Sequence, residues 1–281
     1  MEYEARTNCA GAEGEVKMRA KALVAMGVLA LLLAGYYAAA QTGEVYSLNV
    51  VGFQKLEAKD QTKKYTLVAT PFNTDDPNIN SVISTQLTGG FNYQDSDNIM
   101  KWDSVEQEYQ KYFLLGDVGD PNYNHKWIDS ATGEVATNTD MLPGEGFWIR
   151  SRQSYDQTVV VAGDVVDDDH FTNQIFPGFN LLSYAFSERI ALNDTTFTNG
   201  GRGGYNFQDS DNIYIWNQTN QQYEKYFLLG DVGDPNYNHK WIDSGSGEVA
   251  SNAYLEPGMG FWYRHRGTGF AWIEPKPYTE P

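Results

Sequence analysis

The stretch Lys111-Tyr-Phe-Leu-Leu-Gly-Asp-Val-Gly-Asp-Pro-Asn-Tyr-Asn-His-Lys-Trp-Ile-Asp-Ser130 occurs twice, returning without a change as Lys225–Ser244. The distance from Lys111 to Lys225 sets an offset of 114 residues, and the same offset relates the flanking sequence. Asn92-Tyr-Gln-Asp-Ser-Asp-Asn-Ile99 returns as Asn206-Phe-Gln-Asp-Ser-Asp-Asn-Ile213, and Pro143-Gly-Glu-Gly-Phe-Trp148 as Pro257-Gly-Met-Gly-Phe-Trp262. Residues 65–152 align with 179–266 without a gap, and about half of the positions are identical. The opening stretch, 65–88, keeps only Leu67 and Phe72. Self-similarity at one fixed period marks a repeated structural unit. Its uneven spread implies that the identical block serves function or strict packing in both copies, or that gene conversion has homogenised it.

The local pattern is strand nearly throughout. Runs such as Val45-Tyr-Ser-Leu-Asn-Val-Val-Gly-Phe53, Thr158-Val-Val-Val161 and Ile213-Tyr-Ile-Trp216 are β-branched or aromatic and bounded by Gly, Asn, Asp and Pro. Trp102 to Phe113 reads as a hairpin with a polar turn, repeated from Trp216 to Phe227, and Gly146–Arg150 reads as a strand after a Pro-Gly turn. Only residues 77–87 suit a short helix. The expected fold is all-β: two tandem β-sandwich or jelly-roll-like domains, 41–156 and 157–281, packed end to end. The acidic stretch Asp167–Asp169 is the candidate hinge, and Phe147, Trp148, Phe261 and Trp262 are expected in the cores.

Residues 1–40 have the order of a secretory signal peptide: Lys17, Arg19 and Lys21, the apolar run Ala22–Leu33, then Ala38-Ala-Ala40 before Gln41, with Met18 as an alternative start. The run is too short for a spanning helix. No cysteine follows it for a lipid anchor, so no membrane insertion is expected after cleavage. Cleavage removes equal numbers of acidic and basic side chains, leaving the net charge at −17, and removes Cys9, the single cysteine of the 281-residue chain. The mature protein is therefore expected to have no disulfide and no thiol chemistry, and its acidity argues against nucleic acid or an anionic membrane as partner. The expected location is extracellular or at the cell surface.

The strand Val45-Tyr-Ser-Leu-Asn-Val-Val-Gly-Phe53 directly after a signal peptide resembles the opening of a large set of secreted proteins of planctomycete and verrucomicrobial bacteria. Gly178-Phe-Asn-Leu-Leu182, the Trp hairpin and Pro-Gly-x-Gly-Phe-Trp are similar to repeated β-domains of exported bacterial proteins. The resemblance covers nearly the whole mature chain. It implies an extracellular or surface β-protein and assigns no catalytic residue.

Candidate chemistry falls into three groups. Asp95, Asp97, Asp117 and Asp120, with their copies Asp209, Asp211, Asp231 and Asp234, offer hard oxygen ligands on Gly-rich loops, as Ca²⁺ requires. They do not complete an EF-hand, and Asp and Asn also cap turns with their own side chains; no cofactor is required. His125 and His239 lie near Asp120 and Asp234 in sequence, but no nucleophile elbow or metal-spaced histidine pair accompanies them, so no enzyme is expected. Arg150, Arg152, Arg264 and Arg266 are expected to neutralise the acidic loops. The aromatics Tyr109, Tyr112, Phe113, Tyr123 and Trp127, with Tyr223, Tyr226, Phe227, Tyr237 and Trp241, suit sugar stacking, a protein interface or the two cores.

The leading expectation is a non-catalytic structural protein that associates with copies of itself into a filament, coat or matrix, by strand addition at residues 44–53. Val45, Leu48 and Val50 would serve that edge, and Tyr112, Tyr123, His125, Trp127, Tyr226, Tyr237, His239 and Trp241 the association or ligand surface. A bivalent lectin-like protein binding an extracellular glycan is the alternative, and a secreted hydrolase stands third.

Overall fold

The alternation of apolar and polar residues read from the sequence produces an all-β chain. The computed structural model describes residues 51–278. The signal-peptide reading, and Val45, Leu48 and Val50, lie outside these residues.

The first half contains β1 (Val51–Ala58), β2 (Tyr65–Ala69), β3 (Phe72–Asn73), β4 (Asn98–Asp103), β5 (Glu108–Leu114), β6 (Trp127–Asp129), β7 (Gly146–Arg150) and β8 (Gln157–Val165). The second contains β9 (His170–Ile175), β10 (Gly178–Ser183), β11 (Ile190–Ala191), β12 (Asn212–Asn217), β13 (Gln222–Leu228), β14 (Trp241–Asp243), β15 (Tyr254–Leu255), β16 (Gly260–His265) and β17 (Phe270–Pro275). Two five-stranded antiparallel sheets share one order, β2-β7-β4-β5-β6 and β10-β16-β12-β13-β14. The expected hairpin is β4–β5, with Trp102 opposite Tyr109, and its copy is β12–β13, with Trp216 opposite Tyr223. The short helix forms as α1 (Ile79–Val82), capped by the Asn78 side chain on the Asn80 amide at 3.0 Å.

Strand period explains the layering. In β7, Phe147 and Ile149 face a core shared with Ile99, Tyr112, Leu114, α1 and the β1–β8 residues Leu56, Val159 and Val161. In β16, Phe261 and Tyr263 face the equivalent core with Trp241, Phe197 and Trp272. The opposite faces carry Leu67, Met100 and Trp148 from one sheet and Leu181 and Trp262 from the other, packed together. The inner strands β7 and β16 are thus buried on both sides, and the five-stranded sheets lie face to face within one compact unit, not end to end.

Three further expectations are corrected. First, β8 pairs along its length with β1, from Val51 opposite Asp164 to Ala58 opposite Gln157, so strand 157–165 belongs with the first half instead of opening the second. Residues 51–53 of the leading strand are thereby used inside the chain. Second, Asp167 is pinned by the Lys276 ammonium at 2.9 Å, and the Lys276 amide bonds the Asp169 carbonyl, which tethers the expected hinge to the end of β17. Third, the gap-free alignment fails at α1. The Trp127 amide donates to Asn80 Oδ1 and the Trp241 amide to Asn193 Oδ1, both at 2.8 Å, so Asn80 corresponds to Asn193, one residue short of the general offset.

Candidate binding surfaces between and outside the sheets

The contact between the sheets is assembled from motifs that the sequence repeats. Trp102 Nε1 donates to the Phe179 carbonyl at 2.8 Å, and Trp216 Nε1 to the Tyr65 carbonyl at 3.0 Å. Gln107 Nε2 reaches the same Phe179 oxygen at 2.9 Å, and Gln221 Nε2 the same Tyr65 oxygen at 3.2 Å. Each bond has its counterpart with the halves exchanged, which is the pattern of a two-fold interface inside one chain. The Pro-Gly-x-Gly turns supply a second such pair: the Ser183 amide donates to the Gly144 carbonyl at 3.0 Å and the Ala69 amide to the Gly258 carbonyl at 2.9 Å. Glu145 bridges Leu182, and Met259 bridges Val68. A Cβ on Gly146 would meet the Leu182 carbonyl oxygen at 2.8 Å, and one on Gly260 the Leu67 side chain at 2.8 Å. That close approach explains why both copies of the motif keep this glycine.

Edge-to-face rings fill the contact, with Trp102 and Trp262 centred 5.1 Å apart and Trp148 and Trp216 5.3 Å apart. Such pairs add about 0.5–1.5 kcal/mol each beyond area burial. On one side the rings leave a cleft of about 420 Å³. Trp102, Trp262, Tyr109 and Tyr223 line it with Phe179, and Tyr214 stands in register with Lys225 across β12–β13. Trp262 is the most buried of these rings, while Tyr109 is 37% exposed. Burial pushes the Tyr109 phenol up to about 12 and raises Tyr223 as well. Both hydroxyls therefore keep their protons at neutral pH, and Tyr223 accepts from Trp262 Nε1 at 3.2 Å.

A second surface lies on the outer face of the first half. In the sheet β1-β8-β3, β1 is the outer strand. The other edge of β8 is sealed by β3 and by the Gln86 side chain, which bonds both the amide and the carbonyl of Val160. Val51 and Phe53 on β1 are 70% and 72% exposed, and Phe53 stands opposite Ala162.

The residues predicted from sequence are distributed differently. Trp127 and Trp241 are fully buried, and Tyr112 and Tyr226 nearly so, as large side chains of the two cores. They are removed from any ligand surface. Tyr123 and Tyr237 donate to Glu134 and Glu248, and His125 and His239 are exposed with left-handed backbones at φ 57° and 56°. The acidic loops cap their own turns. Asp117 Oδ1 accepts from the Gly119 amide and Asn124 Nδ2, Asp120 Oδ1 from the Asn122 amide and side chain, and Asp95 Oδ2 from Asn92. Asp231, Asp234 and Asp209 repeat this. Asp97 and Asp211 are buried, each accepting from the amide of the arginine that follows its neighbouring strand, Arg152 or Arg266, at 2.7 Å. Among the described residues no group of three or more His, Cys, Asp or Glu stands close enough to hold a metal ion. The guanidinium groups of Arg152 and Arg266 bond loop carbonyls, those of Tyr93 and Phe207, instead of loop carboxylates.

Sequence reasoning placed Tyr109 and Tyr223 among the candidate aromatics and missed Trp102, Phe179, Tyr214 and Lys225. The available signal was Ile213-Tyr-Ile-Trp216, apolar on both faces, as a strand covered on both sides requires. No family model, no curated protein and no solved structure matches the chain.

Proposed function

We propose that the chain is a non-catalytic structural protein of the extracellular space that associates with copies of itself through the outer strand β1. The observation that carries this reading is an eight-residue outer strand, free of proline, that exposes Val51 and Phe53. An outer strand offers unpaired backbone donors and acceptors, and globular proteins usually blunt it with charge, proline or a bulge. Here the exposed side chains near its start are apolar, beside Ala162 and Val160 of β8. Residues 51–53 lie in β1, which would serve as the accepting edge of its own sheet, while residues 44–50 lie outside the described residues. The signal-peptide order, the lack of mature cysteine and a net charge of −17 suit a secreted, soluble precursor of such an assembly.

The non-catalytic reading has its own support. His265, the histidine closest to a catalytic-looking arrangement, has Nδ1 on Asp211 at 2.8 Å and Nε2 on the Thr268 carbonyl at 2.7 Å, which leaves no nitrogen for a substrate. The test is sedimentation and negative-stain microscopy of the secreted protein and of Val51→Lys with Phe53→Lys. Oligomers or polymers that disappear in the variant at an unchanged melting temperature are expected. A wild-type protein that stays monomeric at every concentration would sink the proposal.

A further inference from the structure

We infer that the cleft between the two five-stranded sheets is a binding site for a neutral hexose ring of a glycan. This does not depend on self-association through β1, which lies on the outer face of a different sheet.

The lining has the chemistry of a sugar site. A hexose presents flat C–H faces, which pack on aromatic rings, and an equator of hydroxyls, which need a few polar partners. The cleft supplies the rings of Trp102, Trp262 and Phe179, the phenols of Tyr109, Tyr214 and Tyr223, and one ammonium, Lys225. Its volume of about 420 Å³ falls in the range of small-molecule sites, which are mostly apolar with a small number of placed polar groups. The hydroxyls of Tyr109 and Tyr223 remain protonated and can donate. Lys225 and the Arg264 guanidinium, which already rests over the Phe179 ring at 5.2 Å, would not anchor a strongly anionic sugar against a net charge of −17, which favours a neutral one.

The internal two-fold sharpens the assignment, because it provides the same surroundings with other residues in place. By the offset, Tyr214 corresponds to Met100 and Phe179 to Tyr65, while Lys225, Trp262, Trp102 and Tyr223 correspond to Lys111, Trp148, Trp216 and Tyr109. Met100 is buried in the sheet contact, whereas Tyr214 is half-buried, stacked at a tilt on Phe179 at 6.1 Å and edge-on to Tyr223 at 5.9 Å. Tyr214 is therefore the residue that turns one of two equivalent positions into an aromatic wall. Met is already accommodated at the matching site, so Tyr214→Met is a change the fold tolerates.

The experiment titrates the intact protein with cellohexaose, maltohexaose and mannohexaose, following tryptophan fluorescence and heat. A saturable response to at least one hexaose is expected, weakened about tenfold in Tyr214→Met, the loss of one ring contact worth about 1.4 kcal/mol. Tyr109→Phe, which keeps the ring and removes one hydroxyl, is expected to weaken the same titration. Absence of saturation with all three sugars, or equal affinity in Tyr214→Met, would overturn the assignment. So would binding of an apolar dye in the cleft that no sugar displaces.

Discussion

Asp97 and Asp211 hold the same place in the two halves and are held by the same backbone, yet their side-chain partners differ in charge. Asp97 receives the amides of Thr88 at 2.8 Å and Arg152 at 2.7 Å, and its remaining partner is the neutral Gln157 side chain at 2.6 Å. Asp211 receives the amides of Arg202 and Arg266, both at 2.7 Å, and adds the Tyr263 hydroxyl at 2.7 Å and the His265 imidazole at 2.8 Å. The carboxylate is thus set by a backbone cradle that survives duplication, while the groups around it have drifted. Burial would raise the Asp211 pKa, but the bonds from His265, the two amides and Tyr263 outweigh it and hold it below the ordinary 3.8. Burial would lower His265, but its bonds to Asp211 and Thr268 outweigh it and hold it above 6.5. Both imidazole nitrogens face acceptors, so the buried pair is imidazolium and carboxylate. The first half builds the equivalent support without a charge pair.

The sheet contact is the feature that the halves share most closely, and breaking it should give the largest effect. Trp148→Ala and Trp262→Ala should each destabilise by about 3–5 kcal/mol, as truncation of a buried aromatic does. Urea denaturation should return similar values for the two. A nearly silent Trp148→Ala beside a damaging Trp262→Ala would break the equivalence of the two sides.

Next in size is the buried carboxylate pair. Asp211→Asn leaves an unpaired imidazolium and should cost about 3–5 kcal/mol, against about 1–3 kcal/mol for Asp97→Asn, which disturbs hydrogen bonds only. Thermal melts of the two variants read the difference directly, and equal losses would mean that the His265 charge contributes nothing.

The two halves should also differ in the pH dependence of their stability. Because the folded His265 pKa is raised, its contribution is complete below 6.5 and is lost as pH rises through the elevated folded value. Because the folded Asp211 pKa is depressed, its contribution is present above 3.8 and is lost as pH falls through the folded value. The pair therefore supports the second half between those two limits. His265→Gln, which imitates the neutral partner of the first half, should flatten the alkaline limb of the melting temperature against pH. An unchanged limb would refute the charged pair.

The smallest effect concerns Glu274, buried at the end of the second half, where burial raises its pKa despite bonds from Thr196 and Trp272. A raised carboxyl favours folding below its ordinary value of 4.5 and opposes it as pH rises. Glu274→Gln should therefore raise the melting temperature by a few degrees in mildly alkaline buffer and much less in acid. A variant that melts lower in both buffers would show that the carboxylate is needed ionised.

The sequence made the strands and hairpins legible because their punctuation is local: the polar turn between Trp102 and Tyr109, and the Pro-Gly before Gly146 and Gly260. It did not reveal which face of each strand meets what. Alternation identifies a buried side only when the other side meets water, and β7, with Phe147 and Ile149 inward and Trp148 in the sheet contact, is buried on both. That is why Trp127 and Tyr112 passed for surface aromatics and Trp102 was overlooked. The slip at Asn80 and Asn193 was invisible for another reason. One shared asparagine in a stretch of drifted residues gives no alignment signal, and only its bond to the Trp127 or Trp241 amide reveals the correspondence. The clefts and edges depend on how distant strands meet, which no local pattern carries.

The two halves meet face to face about an internal two-fold axis. Paired cysteines at Val68 and Met259, and separately at Glu145 and Leu182, test it most directly, since each pair is bridged across the contact and directly opposed antiparallel residues come within disulfide reach. In residues 41–281, which lack other cysteines, both pairs should oxidise to intramolecular cross-links at similar rates. Cross-linking of one pair alone, or only between molecules, would contradict it.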